Sequence, residues 1–193
     1  MELTYEQFKE RITPIERDLI ARYENILKSS SPRAVLEIGS GWGLFSRTAL
    51  EYGKDDPQFR LVTIDKQERS DLKEFEINVG RTHEKMFRIQ EDSKIAVPKL
   101  DTIFDFIFVD GDHGYEGVLA DLKNAWPKLK IGGFMLMDDI LHKNHWKIHD
   151  DKTPDYGIVR AVSEFFGQTD KCFDINLLFF EANGLLLLNK KYD

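Results

Sequence analysis

Apolar residues recur at spacings of three and four along residues 1–31, and later they gather in short runs between amphipathic stretches. The first spacing gives one apolar stripe, which predicts a helical N-terminal segment over residues 1–31 that breaks near Thr13. Thr4 and Thr13 each stand three residues before a Gln or Glu, the spacing of a capping box, and Pro14 suits a first helical position. We therefore expect two successive helices that lie across the rest of the domain.

From residue 32 onward, apolar runs alternate with amphipathic helices, which predicts a mostly parallel sheet covered on both faces. The predicted strands are 34–38, 60–64, 85–89, 104–109, 134–137, 174–180 and 184–189. The predicted helices are 44–52, 71–79 with Ser70 as its cap, a brief one capped by Asp92-Ser93, 115–129 and 158–166. Gly132-Gly133 reads as a turn, and Asn183-Gly184 as the turn of a closing hairpin. The fold class is thus α/β, doubly wound, with seven strands, a C-terminal antiparallel hairpin and N-terminal helices.

Length and charge narrow the class of protein. The 193 residues suit a single domain, 1–193, in which residues 32–193 form the core. A formal net charge of −7 argues against nucleic acid as a partner, and no apolar run approaches the length of a membrane span. The one cysteine, Cys172, cannot form an internal disulfide, and the N-terminus lacks a signal-peptide pattern. We expect a cytoplasmic protein with a small-molecule partner, and the apolar N-terminal stripe leaves room for a homo-oligomer.

A glycine-rich loop follows the first predicted strand. Gly39, Gly41 and Gly43 let the backbone turn tightly and approach a ligand closely, just before a helix N-terminus. A dinucleotide-binding loop would have a glycine at position 44, where this chain has Leu44, so the spacing disfavours a nicotinamide dehydrogenase. The loop indicates a ligand site of another kind.

The next two strands also end in polar residues. Asp65 follows the second strand, where a carboxylate can accept hydrogen bonds from both hydroxyls of a ribose. Asp92 and Ser93 follow the third strand, where they could read an adenine edge. Because ligands of doubly wound sheets bind beyond the carboxyl ends of the strands, we expect these residues to line one crevice.

The motif Glu37-Ile38-Gly39-Ser40-Gly41-Trp42-Gly43, with Asp65, Asp92-Ser93, the acidic end of the fourth strand and the closing hairpin, resembles the class I S-adenosylmethionine-dependent methyltransferases. The resemblance extends roughly from residue 33 to the C-terminus and implies a Rossmann-like fold. It also implies that Asp65 holds the ribose of S-adenosylmethionine and that Asp92 and Ser93 hold the adenine. The methionine end and the neighbouring part of the cofactor would be held by Glu37, Gly39, Ser40, Gly41, Gly43 and Asp110.

Carboxylates also follow the fourth and fifth predicted strands. Asp110 and Asp112 end the fourth strand, and Asp138 and Asp139 end the fifth. If these strands are neighbours, the carboxylates lie close together and repel one another unless protons or a cation neutralise them. Hard oxygen ligands suit Mg²⁺, which can orient an acceptor hydroxyl and favour its deprotonated form.

This cluster is similar to that of metal-dependent O-methyltransferases of the catechol, caffeoyl-coenzyme A and macrocin types, which implies that Asp110, Asp138 and Asp139 bind the metal. The catechol type has a catalytic lysine three residues after the first metal-binding aspartate, and this chain has His113 there. A neutral imidazole near a metal can accept a proton, so His113 and Asp110 are the predicted catalytic residues. Asp112 is expected to be a loop residue rather than a ligand.

The sequence thus predicts an enzyme that transfers a methyl group from S-adenosylmethionine to a hydroxyl of a small molecule, assisted by Mg²⁺. Three alternatives stay open: a metal-independent methyltransferase, a module that binds the cofactor without turnover, and a protein of the cephalosporin-hydroxylase-like family, which shares the fold and the acidic cluster. The polar stretch 141–156 is expected to be a loop that covers the site. The histidines of this stretch, His142 and His145, lack further ligands at the spacing of a zinc site. In the glycine-rich loop, Trp42 is a candidate wall of the acceptor pocket.

Overall fold

The computed structural model describes residues 3–66, 69–80, 83–141, 144–148, 154–155, 157–167, 173–178 and 184–192. The helices are α1 Tyr5–Arg11, α2 Pro14–Ser30, α3 Leu44–Gly53, α4 Arg69–Val79, α5 Ser93–Ala96, α6 Tyr115–Ala125 and α7 Gly157–Gly167. The strands are β1 Ala34–Ile38, β2 Arg60–Ile64, β3 Met86–Ile89, β4 Phe104–Val109, β5 Leu129–Met137, β6 Asn144–Ile148, β7 Pro154–Asp155, β8 Phe173–Leu178 and β9 Leu185–Lys190. No helix in the described ranges is both long and apolar enough to cross a membrane.

A seven-stranded sheet in the order β3-β2-β1-β4-β5-β9-β8 organises the molecule. β1 pairs in parallel with both β2 and β4, while β9 runs antiparallel to β5 and to β8. The predicted doubly wound sheet with a C-terminal antiparallel hairpin is confirmed. Because the chain leaves β1 toward one edge and returns at β4 on the other side, the order reverses between these strands. A crevice is expected at their carboxyl ends.

Two apolar layers cover the sheet. On one face, Tyr23 of α2 and Phe45 of α3 pack against Phe108 of β4, with the Phe45 and Phe108 rings stacked at 4.2 Å. On the other face, α6 and α7 pack over β4 and β5 around Trp126 and Phe165. Both faces of the central strands are therefore buried, which explains why their sequences are continuous apolar runs.

The N-terminal helices lie on this framework as the sequence predicts. Thr4 and Thr13 cap α1 and α2, and both capping boxes are complete. The apolar stripe is largely covered within the chain, since Phe8, Ile20 and Tyr23 are buried.

Three predicted boundaries are wrong. α4 begins at Arg69, so Ser70 lies inside its first turn rather than at its cap. α6 ends at Ala125 and not at Leu129, because Pro127 has no N–H for a further helical hydrogen bond, and a 3₁₀ turn follows. β5 begins at Leu129, and the predicted glycine turn lies inside it.

Of the two glycines in β5, Gly133 has a packing reason. A Cβ atom at Gly133 would lie 2.8 Å from the carbonyl oxygen of Asp105 on β4, where the register between the strands shifts. Glycine therefore permits a close approach to the neighbouring strand.

The stretch predicted as a loop over 141–156 is also not wholly irregular. It contains β6 and β7, which pair as an antiparallel ribbon. The side chains of His142 and His145, most of the connection between these strands, the hairpin turn at Asn183 and Cys172 lie outside the described residues.

Candidate active site

The end of β1 passes directly against the end of β4. Gly39 has φ +85°, and a Cβ atom there would lie 2.0 Å from the carbonyl oxygen of Asp110. No other residue fits so close an approach in this backbone conformation. Gly43, at φ +96°, serves packing in the same way, because a Cβ atom there would meet Val79 of α4 at 2.4 Å. The glycine pattern thus brings the first and fourth strand ends together.

A cleft of about 200 Å³ opens beyond these strand ends. Six of the predicted cofactor-binding residues line it, namely Gly39, Gly41, Asp65, Asp92, Ser93 and Asp110. The structure therefore brings together residues that the sequence separates by up to 71 positions.

The polar groups of this cleft are held in fixed orientations. Asp65 accepts a hydrogen bond from the backbone N–H of Gly41 at 2.8 Å and lies 3.4 Å from the hydroxyl of Ser40. Asp92 caps α5 by accepting from the N–H of Lys94 at 2.9 Å, as predicted. Asp65 thus ties the glycine loop to the end of β2.

A second pocket of about 120 Å³ lies between α2 and the glycine loop. It is lined in part by Tyr23, Glu37, Ser40, Trp42 and Asp138, and it shares Gly39, Gly41 and Asp110 with the cleft. The two cavities therefore adjoin at Asp110. Trp42, the candidate wall residue, lies in this pocket and contacts Phe8 with ring centroids 6.2 Å apart.

Glu37 is buried at the base of this pocket. Its carboxylate accepts a hydrogen bond from the hydroxyl of Ser46 on α3. Burial raises the pKa of Glu37 to about 7. Ser46 was not among the predicted site residues, because its position on the apolar face of α3 carries no signal in the sequence.

Asp110, His113 and Asp139 form a compact cluster at the ends of β4 and β5. One potential ligand atom from each lies within 4.8 Å of the others. His113 Nε2 is 3.4 Å from Asp110 Oδ1 and 3.5 Å from Asp139 Oδ2. The hydrogen bond with Asp110 raises the pKa of His113, because a neighbouring carboxylate stabilises the charged imidazolium. Burial raises the pKa of Asp110.

Asp138 lies beside this cluster, but its side chain points elsewhere. Its carboxylate accepts hydrogen bonds from the phenol of Tyr23 and, at 2.7 Å, from the backbone N–H of Asp139. Burial raises the pKa of Asp138 to about 7. Of the three predicted metal ligands, the structure therefore groups Asp110 and Asp139 with His113, and it pairs Asp138 with Tyr23.

Asp112 is an exposed loop residue whose carboxylate accepts from the N–H of Gly114 at 2.8 Å, as expected. Sequence reasoning missed Tyr23, which looked like one more residue of the apolar stripe on α2. It also missed Asp121 of α6, a buried carboxylate 2.6 Å from the hydroxyl of Ser93. In both cases the partner is distant in sequence.

The chain matches a protein-family model described as a methyltransferase domain over residues 36–140, more than half of its length. A comparison with curated protein sequences gave no match.

Solved structures with the same fold include three methyltransferases. The Podospora anserina methyltransferase PaMTH1, bound to S-adenosylhomocysteine (SAH), is 17% identical with a TM-score of 0.68, covering 97% of this chain and 86% of its own. The O-methyltransferase TomG from Streptomyces achromogenes, in complex with S-adenosylmethionine (SAM), is 21% identical with a TM-score of 0.64. The match covers 91% of this chain and 80% of TomG. An O-methyltransferase from Bacillus cereus, in complex with SAH, is 18% identical with a TM-score of 0.64, covering 93% and 82%.

The doubly wound sheet with a cleft at the β1–β4 reversal is thus the architecture of class I S-adenosylmethionine-dependent methyltransferases, and the predicted resemblance is confirmed. The chain belongs to the methyltransferase-domain family.

Proposed function

We propose that this protein transfers a methyl group from S-adenosylmethionine to a hydroxyl of a small-molecule acceptor, with the help of a divalent cation. The observation that carries the proposal is the shared wall of the two cavities, formed by Gly39, Gly41 and Asp110. Group transfer requires two ligands to meet at one point, and adjoining cavities provide that geometry.

In this proposal the cofactor occupies the cleft, and its methionine end lies along the glycine loop toward Glu37. The hydrogen bond from Gly41 fixes Asp65 beside the loop, where its carboxylate suits the hydroxyls of a ribose. Asp92 and Ser93 are assigned to the adenine. The presence of SAM or SAH in solved structures of the same fold supports the choice of cofactor.

The acceptor is assigned to the second pocket. Tyr23, Trp42 and Phe108 give this pocket aromatic walls, while Glu37, Asp110 and Asp138 make it acidic. A negatively charged acceptor would be repelled by these carboxylates. The lining therefore favours a neutral or cationic hydroxylated compound.

The cluster of Asp110, His113 and Asp139 has a donor set that fits a divalent cation, with two carboxylate oxygens and one imidazole nitrogen. Carboxylates suit Mg²⁺ and Mn²⁺, whereas imidazole suits transition metals, so the set does not select magnesium. A bound cation would orient the acceptor hydroxyl and lower its pKa.

When no cation is bound to its Nε2, a neutral His113 is proposed to receive the proton of the acceptor hydroxyl; with a cation bound there, His113 is a ligand and the cation lowers the pKa of the hydroxyl instead. The carboxylates of Asp110 and Asp139 lie within 3.5 Å of Nε2 and would stabilise the imidazolium that results.

A metal-independent reaction is the second candidate. The pairing of Asp138 with Tyr23 leaves two carboxylates in the cluster, and a protonated His113 bridges both of them. Such an imidazolium would offset one of the two negative charges without a cation.

The first test is calorimetric titration with SAH. We expect one saturable site, and Asp65→Asn should weaken binding about tenfold or more because a charged acceptor is lost. Asp55→Asn, an exposed change of the same chemistry, should bind as the wild type does. Failure of the wild-type protein to bind SAH would contradict the proposal.

The second test concerns the cation. Methyl transfer to a panel of small hydroxylated compounds should rise on addition of Mg²⁺ or Mn²⁺ and should be lost in excess chelator. Asp139→Asn should show the same loss in the presence of either ion, whereas the exposed change Asp101→Asn should not. Full transfer in chelator would exclude the cation and favour the second candidate.

A further inference from the structure

One buried carboxylate lies beside the cleft and outside the acidic cluster. Asp121, on α6, is 1% exposed, and its Oδ1 lies 2.6 Å from the hydroxyl oxygen of Ser93. Its other oxygen lies beneath the cleft wall, because a Cβ atom at Gly111 would come within 3.5 Å of Oδ2. Asp121 has no role in the methyl transfer proposed above.

The ionisation of Asp121 fixes the direction of its hydrogen bond with Ser93. Burial raises the pKa of Asp121 to about 6, so the side chain is a carboxylate at pH 8. A carboxylate can only accept, and a serine hydroxyl has one hydrogen. That hydrogen therefore points to Asp121, and the oxygen of Ser93 can offer only lone pairs to a ligand.

Ser93 lines the cleft next to Asp92. Because the hydroxyl hydrogen of Ser93 is already donated to Asp121, a ligand group that hydrogen-bonds to this hydroxyl must donate to its oxygen. The 6-amino group of adenine is a donor, whereas the 6-oxo group of hypoxanthine is an acceptor and would face another acceptor. An unpaired buried polar group is costly, so this difference discriminates between the two bases.

We propose that Asp121 is a positioning residue that makes the cleft selective for a 6-aminopurine, by holding Ser93 as a hydrogen-bond acceptor. This inference rests on the proposed function, in particular on the assignment of Ser93 to the adenine.

The test compares two ligands at pH 8: SAH and its deaminated analogue, S-inosylhomocysteine. The wild-type protein should prefer SAH about tenfold or more. Asp121→Asn keeps the shape of the side chain but can donate to Ser93, which frees the serine hydrogen for the 6-oxo group. In this variant the preference should fall about tenfold, mainly through tighter binding of the analogue.

Ser93→Ala provides a second route if the Asn variant does not fold. It removes the acceptor, so SAH should bind about tenfold more weakly while the analogue binds as before. The matched control is Asp101→Asn, which is exposed and should keep the wild-type preference. Thermal melting of each variant reports whether it is folded.

The outcomes separate the two proposals. If the wild-type protein binds neither ligand, the assignment of the cleft to this cofactor fails, and the role of Asp121 falls with it. If the wild-type protein binds SAH but folded Asp121→Asn or Ser93→Ala keeps the full preference, only the role of Asp121 is overturned. A loss of affinity for both ligands by the same factor would likewise overturn it, because that is the signature of a merely structural residue.

Discussion

Glu37 is a buried carboxylate in the lining of the second pocket, with only 1% of the residue exposed. Burial raises its pKa from 4.5 to about 7. An acid with a raised pKa binds more protons folded than unfolded between these two values. The free energy of unfolding therefore falls as the pH rises from about 4.5 to 7 and stays reduced above that range.

Glu37→Gln should remove this effect, because the amide keeps an acceptor for Ser46 but has no charge. At pH 8 we expect the variant to be more stable than the wild type by about 2–3 kcal/mol, and its stability should depend less on pH between 5 and 7. Urea denaturation across that range gives the measurement. Glu10→Gln, at an exposed position, should leave the profile unchanged. An unchanged slope in the Glu37 variant would contradict this account.

The sequence predicts the shared location of candidate site residues where they directly follow an apolar run. Gly39, Asp65 and Asp110 stand at strand ends, so the alternating pattern alone indicates their shared location. Tyr23 and Asp138 are 115 residues apart, and nothing in their local sequences links them. Such a contact depends on where α2 crosses the sheet, which periodicity does not specify.

At the scale of elements, α3 ends in an unusual cap. Helix C-termini leave carbonyl groups without partners inside the helix. The ammonium of Lys85, a largely buried residue that precedes β3, donates to the carbonyls of Gly53 at 2.9 Å and Asp56 at 3.0 Å, and also to that of Lys54. The interaction joins the end of α3 to the start of the edge strand.

Lys85→Met keeps the aliphatic stem but removes the charge and the three donors. We expect a loss of about 2–3 kcal/mol in the free energy of unfolding, since hydrogen bonds from a charged group are strong and the buried carbonyls would lose their partner. Lys54→Met is the control, because its exposed ammonium pairs with Glu51 where solvent screens the interaction. Equal losses of unfolding free energy in the two variants would show that the Lys85 cap stabilises the fold no more than the exposed Lys54–Glu51 pair does.

The prediction of elements fails where a neighbour decides the conformation. Gly132 and Gly133 indicate a turn in isolation, yet both lie within β5. At Gly133 the carbonyl of Asp105 on β4 leaves no room for a Cβ atom, whereas Gly132 has open space around it and a φ of +81°. The caps of α1, α2 and α5 were predictable, because each depends on residues two or three positions apart.

For the molecule as a whole, strand order explains why the site is where it is. The reversal between β1 and β4 gathers the glycine loop and the carboxylates of β4 and β5 at one edge of the sheet. The sequence predicts this arrangement through the alternation of strands and helices. It does not predict the acceptor, because the second pocket depends on how α2 packs over that edge.

Tyr23 connects this packing to the proposed chemistry. Its ring packs edge-on against Phe45 and Phe108, and its phenol donates to Asp138. The N-terminal helices thus hold a carboxylate of β5 in place. Tyr23→Phe keeps the ring contacts but leaves Asp138 without this donor, so the carboxylate should reorient or take up a proton.

We expect Tyr23→Phe to lower the kcat of methyl transfer about tenfold, while the Kd for SAH stays within about twofold, because the cofactor cleft does not include Tyr23. Tyr5→Phe is the matched control, since it removes a 2.9 Å hydrogen bond to Glu24 within the same N-terminal segment and away from both cavities. If the two variants lose the same fraction of kcat, the cause is a loosened N-terminal segment. If only Tyr23→Phe loses activity, the contact with Asp138 itself links the N-terminal helices to catalysis.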